Sequence, residues 1–399
     1  MACKLVGFSF LLFSCLILAI SASPSLADNV TVTVRAITAI QETDGNLVCA
    51  TIDWWPKEKC DYGWCPWYNS SIINLDLTNP ILYNAVKAFK TLRIRLGGSL
   101  QDQVIYGVGK YRKGCEDFKK DPNGLFTFSS GCLTMSRWDE INAFFSKTGA
   151  ILTFGLNALN GRERAINSTE YVGPWDATNA RHFIKHTVSK GYKIESWEFG
   201  NELCGEGVSA KVNATRYAMD LIKLKKIIHR MYRGFNAQDR PKLLTPGGFF
   251  NMPWFAEMLQ VSGPNVVNVV THHIYNLGPG NDNRLINRIL DPFYLSQVAK
   301  MYKAVQYVVR NFGPWSTPWI GESGGAYNSG GKGVSDSFVD SFWYLDQLAM
   351  VSVYGHSVFC RQALIGGNYG LLDPTTFVPN PDYYRQCTSL EPIDGKASP

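Results

Sequence analysis

Two glutamates stand where apolar, strand-like segments of the sequence end. The segment 197–202 (WEFGNE) ends in Glu202, and the segment 319–323 (WIGES) carries Glu322. Hydrolysis of a glycosidic bond uses two carboxyl groups, and in retaining enzymes they stand about 5–5.5 Å apart. We therefore predict Glu202 as the general acid/base and Glu322 as the nucleophile. The alternative is that the two glutamates only form salt bridges at the rim of the barrel. It is less favoured because two separate strand ends each carry a carboxylate.

Polar residues beside these glutamates suit the same chemistry. Asn201 directly precedes Glu202, and its amide suits a sugar 2-hydroxyl. A further strand-like segment ends in 271–275 (THHIY), where His272, His273 and Tyr275 offer hydrogen-bond donors to Glu322. We predict that these three residues orient the nucleophile and tune its charge. A packed core position remains an equal alternative for either histidine.

Strand-like and helix-like segments alternate along the chain, and they must position these groups. The apolar strand-like runs are 48–55, 92–97, 151–159, 194–200, 242–247, 266–275, 318–321 and 358–365. The helix-like runs are 78–90, 136–147 with Ser136 as cap, 176–190, 214–232, 253–261, 292–310 and 336–354. Eight strands with seven helices between them predict an α/β fold, a (β/α)8 TIM barrel with its chemistry at the carboxyl ends of the strands. An open doubly wound sheet is less favoured because no GxGxxG turn follows the first strand.

Both ends of the 399-residue chain depart from this pattern. Residues 24–46 include an extra strand at 30–40, which we expect to join another sheet, a β-sandwich. Residues 380–384 look like the start of an eighth helix, but periodicity is lost over 385–399. We therefore predict a catalytic barrel over 47–384, a missing eighth helix and a divergent polar tail.

The first 23 residues are typical of a signal peptide. Lys4 precedes an apolar run over 5–20, and small residues follow at 21–23. We predict a secreted protein of the extracellular space or cell wall, with a lysosome or vacuole as the alternative and at most peripheral membrane association. Four sequons predict N-glycosylation at Asn29, Asn69, Asn167 and Asn213.

Cysteine spacing and net charge narrow the function further. Cys60 with Cys65, and Cys115 with Cys132, lie in loop-like stretches and are predicted to pair, whereas strand-borne Cys49 and Cys360 are predicted to be buried free thiols. No cysteine or histidine cluster has metal-site spacing, so we predict neither metal nor cofactor. The net charge of +6 is mild and spread, which argues against nucleic acid and is compatible with an acidic carbohydrate.

Several motifs resemble heparanase-like proteins of plants, members of glycoside hydrolase family 79. They are WEFGNELCG (197–205), WIGESGGAYNSG (319–330), GGNYGLLD (366–373), TIDWWPKEKCDYG (51–63) and RLGGSLQDQ (95–103). The resemblance implies retaining barrel enzymes whose acid/base and nucleophile match Glu202 and Glu322. It places Asp53 and Ser99 against the terminal sugar. It places a set of loop residues around a uronate carboxylate: Tyr327, Asn328, Ser329, Gly330 and Tyr369.

The implied activity is a β-glucuronidase, endo- or exo-acting, on a cell-wall or extracellular glycan or a small glucuronide. The likeness stops near Tyr384, and relatives continue with a β-sandwich domain, so we expect a truncated form. We also expect a monomer. Two other functions remain open: a retaining glycosidase for a neutral sugar, and a non-catalytic carbohydrate-binding isoform.

Overall fold

A computed structural model describes residues 45–388 as a closed parallel barrel. Eight strands run in chain order around it: β1 Val48–Ile52, β2 Arg93–Leu96, β3 Ile151–Leu156, β4 Ser196–Phe199, β5 Lys242–Phe249, β6 Val269–His273, β7 Thr317–Ser323 and β8 Phe359–Arg361. Strand β8 pairs with β1 and closes the barrel. The predicted barrel is confirmed. The predicted signal peptide, the strand at 30–40, Asn29 and the tail beyond 388 lie outside the described residues.

Helices connect the strands on the outside of the barrel. They are α1 Pro80–Lys87, α2 Met135–Thr148, α3 Thr178–Ser189, α4 Ala214–Met231, α5 Met252–Ser262, α6 Leu285–Ile289, α7 Pro292–Ser296, α8 Ala299–Phe312, α9 Asp340–Val353 and α10 Pro381–Thr388. The segment predicted as one helix over 292–310 is two helices, α7 and α8. Thr134, not Ser136, caps α2, because its hydroxyl accepts the N–H of Arg137 at 3.1 Å. Over residues 45–388, no helix is long and apolar enough to cross a membrane.

Short elements in the loops complete the barrel. Single 3-10 turns lie at Gln101–Gln103, Gly109–Arg112, Leu125–Thr127 and Ala237–Asp239. Two-stranded pairs join Val104–Tyr106 to Gly131–Leu133, Glu163–Arg164 to Tyr171–Val172, and Gly278–Pro279 to Ala326–Tyr327. The last pair links the loop after β6 to the loop after β7, at the end of the barrel where both strands finish.

The interior of the barrel holds charged side chains and a small apolar cluster around Trp319, and the main apolar core lies between strands and helices. Side chains alternate along a strand, so one set points inward and the other packs against helices. In β4, Trp197 and Phe199 belong to the outer apolar core, whereas Glu198 bonds Arg95 of β2, which is not a neighbouring strand. This ion pair therefore crosses the interior of the barrel below the strand ends.

Three disulfides lie within residues 45–388, and one of them corrects a prediction. Cys60–Cys65 and Cys115–Cys132 pair as predicted. Cys49 and Cys360 are not free thiols: they form a third bond, between strands β1 and β8. Closure of the barrel places the two residues opposite each other, with a Cα–Cα distance of 4.1 Å, although 311 positions separate them in the sequence.

The eighth helix is also present, contrary to prediction, as the two turns of α10. Tyr383 anchors it: its ring packs edge-on against Phe89, and its hydroxyl donates to the carbonyl of Ala85 at 2.8 Å. Both partners lie at the end of α1, so α10 covers the seam between β8 and β1. The sequence after Tyr384 is polar and lacks apolar periodicity, so it did not predict a helix. A helix of only two turns can nevertheless form there, because it needs few apolar residues.

A buried ion cluster holds α10 to the barrel. Arg361, in β8, donates to Asp340 of α9 at 2.7 Å and to Asp382 of α10 at 2.8 Å, and all three side chains are almost fully buried. A buried carboxylate is strongly destabilising without its counter-charge. Arg361 therefore joins the last two helices to the last strand.

We predict that Arg361→Met lowers the free energy of unfolding by about 3–5 kcal/mol, because it leaves two buried carboxylates uncompensated. Denaturant unfolding measures this change. Lys300→Met, at an exposed position of α8, is the matched control and should change stability by less than about 0.5 kcal/mol. Equal stability of the Arg361 variant and the wild type would contradict the prediction.

Candidate active site

The ends of β4 and β7 bring the two predicted glutamates together. Glu322 lies within β7, and Glu202 follows β4 in a left-handed backbone conformation with φ of 56°. The N–H of Glu202 donates to the carbonyl of Gly247 at 2.7 Å, which holds this uncommon conformation in place. Carboxylate oxygens of both glutamates and one ring nitrogen of His273 lie within 4.8 Å of one another. Such close approach of two carboxyl groups is the arrangement that a retaining glycosidase uses.

Glu322 sits among hydrogen-bond donors. Arg95 donates from Nη1 to Oε2 at 2.8 Å, and the hydroxyl of Tyr275 donates to Oε1 at 2.6 Å. Burial alone would raise the pKa of Glu322, but His273, Arg95 and Tyr275 together outweigh burial and hold the pKa below its usual value. Glu322 is therefore ionised across the ordinary working range of pH.

Glu202 has the opposite environment. It is buried, and its Oε1 lies 3.0 Å from Nδ1 of His273. Burial raises its pKa, and the negative charge of Glu322 adds to this rise, whereas the bond to His273 opposes it. The pKa values of the two carboxyl groups are therefore shifted in opposite directions, and Glu202 keeps its proton to higher pH than Glu322.

Arg95 and Glu198 also belong to the site, and sequence reasoning missed both. Arg95 donates to Glu198 at 2.6 Å and to Oδ1 of Asn201 at 2.7 Å, in addition to Glu322. Thr271 donates to the other oxygen of Glu198 at 2.9 Å. The sequence did carry a signal for Arg95: the strand β2 reads RIRL, and an arginine at alternate positions of a buried strand indicates charged partners inside the barrel. The Nδ2 of Asn201 is buried without a hydrogen-bond partner among the described residues, which leaves it available as a donor to a ligand.

Asp102 is a second missed residue, and it fixes the end of β4. Its two carboxylate oxygens accept the N–H groups of Asn201 and Ala158, each at 2.7 Å. Burial raises the pKa of Asp102 to about 7. Because Ala158 follows β3, one carboxylate sets the spacing between two neighbouring strand ends, next to Glu202.

Asp53 and Tyr369 are buried residues whose charges interact with that of Glu322. The N–H of Trp54 and the amide of Gln362 donate to Asp53 at 2.6 and 2.9 Å. Burial raises the pKa of Asp53 to about 7, and the charge of Glu322 contributes. Tyr369 is also buried, and burial together with the charges of Glu322 and Asp53 raises its pKa well above the usual value.

The loops expected around a uronate lie beside Tyr369. Asn328 and Ser329 have left-handed backbones, with φ of 55° and 67°. The hydroxyl of Ser329 accepts the indole N–H of Trp67 at 2.9 Å, and the Trp67 ring packs edge-on against Tyr369. Tyr327 is 41% exposed at the mouth. A side chain at Gly330 would meet the ring of Tyr369 at 2.8 Å, so this glycine lets the loop approach the pocket closely. Ser99 is half-buried on the turn after β2, whose backbone at Gly98 lies directly over the carboxylate of Asp53.

The two adjacent histidines separate, and only His273 joins the site. Alternation along β6 points His272 outward. Its Nε2 lies 2.9 Å from Nε2 of His356, and its ring packs edge-on against Tyr302 of α8. Burial and the neighbouring His356 lower its pKa well below the usual value. His272 is therefore a neutral core residue, and its predicted place beside the nucleophile is wrong.

Glu202, His273 and Glu322 are also the described residues whose spacing suits a metal ion. Arg95 already donates to the Glu322 oxygen on that side, so a cation would have to sit close to a fixed positive charge. The donor set thus fits a pair of proton-transferring carboxyl groups better than a metal centre.

Three predicted glycosylation sites, Asn69, Asn167 and Asn213, are exposed.

A parallel barrel with two carboxylates meeting at its strand ends is the arrangement of a glycoside hydrolase. The model of glycosyl hydrolase family 79, N-terminal domain, matches residues 29–349. Two similar curated proteins are heparanase-like protein 2 of Arabidopsis thaliana, 54% identical over 95% of this chain and 70% of its own, and baicalin-beta-D-glucuronidase of Scutellaria baicalensis, 41% identical over 86% and 67%. The chain belongs to glycosyl hydrolase family 79. It spans about two thirds of the length of these relatives.

A solved structure shares the fold. It is a 4-O-alpha-L-rhamnosyl-beta-D-glucuronidase from Fusarium oxysporum, with a TM-score of 0.59 and 15% identity, covering 91% of this chain and 72% of its own. A GH51 alpha-L-arabinofuranosidase from Thermotoga petrophila has a TM-score of 0.60 at 14% identity, covering 87% and 70%. At these identities the likeness shows the barrel fold alone.

We predict that Tyr275→Phe moves the acidic limb of the pH profile of kcat/KM upward by about 1–2 pH units. A hydrogen bond to a charged group contributes about 1.5–3 kcal/mol, and losing it raises the pKa of Glu322. Tyr307→Phe, at an exposed ring of α8, is the control and should leave the profile unchanged. An unmoved acidic limb in the Tyr275 variant would show that this hydroxyl does not tune the nucleophile.

Proposed function

We propose that this protein is a retaining β-glucuronidase in which Glu202 is the general acid/base and Glu322 is the nucleophile. The observation that carries the proposal is the carboxylate pair, held within 4.8 Å and driven to opposite protonation states by its surroundings. A single buried pair of this kind suits double displacement, in which each carboxyl group acts twice.

In the first step, ionised Glu322 attacks the anomeric carbon while protonated Glu202 gives its proton to the departing oxygen. The glycosidic bond breaks, and a covalent bond forms between the sugar and a carboxylate oxygen of Glu322. Attack removes the negative charge of Glu322, so the pKa of Glu202 falls toward its usual value. Glu202 is then a base and takes a proton from the water that releases the sugar.

The groups around Glu322 support this reaction by position. Arg95 and Tyr275 each donate to one oxygen of Glu322, which fixes the plane of the carboxylate. Arg95 also donates to Oδ1 of Asn201. This bond fixes the orientation of the amide, and therefore the position of its unpartnered Nδ2. We assign this Nδ2 to the sugar 2-hydroxyl, whose hydrogen bonds strengthen in the transition state.

The glucuronosyl group is proposed from the loops beside Tyr369 and from the named relatives. One relative is a baicalin-beta-D-glucuronidase, and another, from Hirudo nipponia, is a hyaluronoglucuronidase. Tyrosine hydroxyls and backbone N–H groups of the Tyr327–Gly330 loop supply donors to a carboxylate without adding a permanent charge. The substrate is a glucuronide of an extracellular glycan or a small conjugate. The secreted location, N-glycosylation and monomeric state belong to the same proposal.

We expect Glu322→Gln to abolish turnover of an aryl β-glucuronide and Glu202→Gln to reduce it by about 10²–10⁴-fold. The Glu202 variant should recover part of its rate with a dinitrophenyl leaving group, which needs no proton, and should then accumulate a glucuronosyl-enzyme detectable by mass spectrometry. Glu206→Gln, exposed and outside the pair, is the matched control. Full turnover by the Glu322 variant would refute the assignment.

Substrate charge is tested with three aryl glycosides that differ at carbon 6. We expect the β-glucuronide to be preferred over its methyl ester and over the β-glucoside by at least about 100-fold in kcat/KM, since a hydrogen-bonded carboxylate contributes about 1.5–3 kcal/mol and its loss leaves the donors unpaired. Equal or better hydrolysis of the glucoside would favour a neutral-sugar glycosidase.

A further inference from the structure

Phe249 is the one exposed residue of strand β5, and it is the last residue of that strand, at the end of the barrel where the catalytic pair lies. The seven residues before it are buried or half-buried, whereas Phe249 is 42% exposed. The next residue, Phe250, packs its ring against Phe255 of α5 and so belongs to the packing of the fold. Single exposed apolar side chains are common on protein surfaces, so the position of Phe249 decides whether it has a function.

The ring of Phe249 adjoins the two side chains that bond the catalytic carboxylates. Its centre lies 6.4 Å from the ring centre of His273 and 6.2 Å from that of Tyr275, and both distances are within the range of aromatic pairs. His273 contacts Glu202 at 3.0 Å, and Tyr275 donates to Glu322 at 2.6 Å. One side chain therefore separates Phe249 from each member of the pair.

The backbone around Phe249 places it on the side of the acid. The carbonyl of Gly247 accepts the N–H of Glu202 at 2.7 Å, and a Cβ atom at Gly248 would lie 2.9 Å from Cα of Glu202. The thiol of Cys204 donates to the carbonyl of Phe249 at 3.2 Å. Strand β5 is the neighbour of β4, whereas β6 separates it from the nucleophile strand β7. Because the acid protonates the departing oxygen, the departing group lies next to the end of β5.

The surface at Phe249 suits a flat apolar group. The ring of Tyr275 is inclined by 50° to that of Phe249, so the two rings form a corner beside the carboxylates. Nδ1 of His273 and the hydroxyl of Tyr275 are already bonded to those carboxylates. A sugar at this place would exchange water around its hydroxyl groups for an apolar ring, which is unfavourable. An aromatic group loses no such hydrogen bonds and gains ring stacking.

We infer that Phe249, together with the ring of Tyr275, binds the departing group of the substrate by stacking, and that this group is aromatic. Phe249 is thus a specificity-determining residue, and the substrate class is an aryl glucuronide rather than a glucuronosyl glycan. The inference rests on the proposed glucuronidase function and adds to it the chemistry of the leaving group.

The test compares phenyl β-glucuronide with hexafluoroisopropyl β-glucuronide. The two departing groups are similar in acidity, but only the phenyl group can stack. We expect the wild type to prefer the phenyl compound at least about fivefold in kcat/KM. Phe249→Leu should lose most of this preference through KM of the phenyl compound, and should hydrolyse the alkyl compound within about twofold of the wild-type rate, since stacking does not contribute there. Phe249→Trp keeps an aromatic ring and should keep the preference.

Phe293→Leu is the matched control, because Phe293 is 83% exposed on α7 and contributes nothing to the catalytic pair. It should leave the preference unchanged. Equal kcat/KM of the two compounds in the wild type, or an unchanged preference in Phe249→Leu, would overturn the inference while leaving the glucuronidase function intact. A higher kcat/KM for a disaccharide of glucuronic acid and galactose than for the phenyl compound would do the same, and would assign this place to a sugar. Turnover of none of the three compounds would remove the proposed function and this inference with it.

Discussion

The guanidinium group of Arg95 is the centre on which the site depends. It lies inside the barrel, almost fully buried, and bonds Glu198, Asn201 and Glu322 from strands or strand ends that are not neighbours of its own. A buried cation is stabilised only when anions and acceptors surround it. The same constraint that places Glu198 in the interior therefore fixes the nucleophile and the sugar-facing amide relative to each other.

This arrangement explains how two identical side chains reach different protonation states. Glu322 receives two direct donors and is close to His273, which together outweigh burial. Glu202 bonds His273, and there burial and the charge of Glu322 outweigh that bond. Asp102 and the left-handed backbone of Glu202 hold the acid in a position that the strand itself would not provide. Strand geometry thus delivers the carboxylates to the same end of the barrel, and hydrogen bonds at the strand ends give them separate roles.

The eight strands and the glutamate pair were predictable because alternation and apolar runs are local properties of sequence. Arg95 and Asp102 were not predicted because their roles depend on partners 56 to 227 positions away, which only the fold of the barrel brings near. The same is true of Cys49 with Cys360. His272 and His273 show a different limit: adjacent residues point to opposite faces of a strand, and the strand register that decides between them is set by tertiary packing.

The bond between Cys49 and Cys360 has a consequence for where this barrel is stable. It links the first strand to the last and encloses nearly all of the barrel in one covalent loop, with 311 positions between its ends. By the chain-entropy model, such a loop restricts the unfolded chain by about 5–6 kcal/mol, comparable to the whole stability of many domains. In a reducing environment that contribution is lost. Redox conditions would then change how stably the first and last strands, which also pair by hydrogen bonds, are held together, and with them Asp53 and Gln362, which follow those strands at the site.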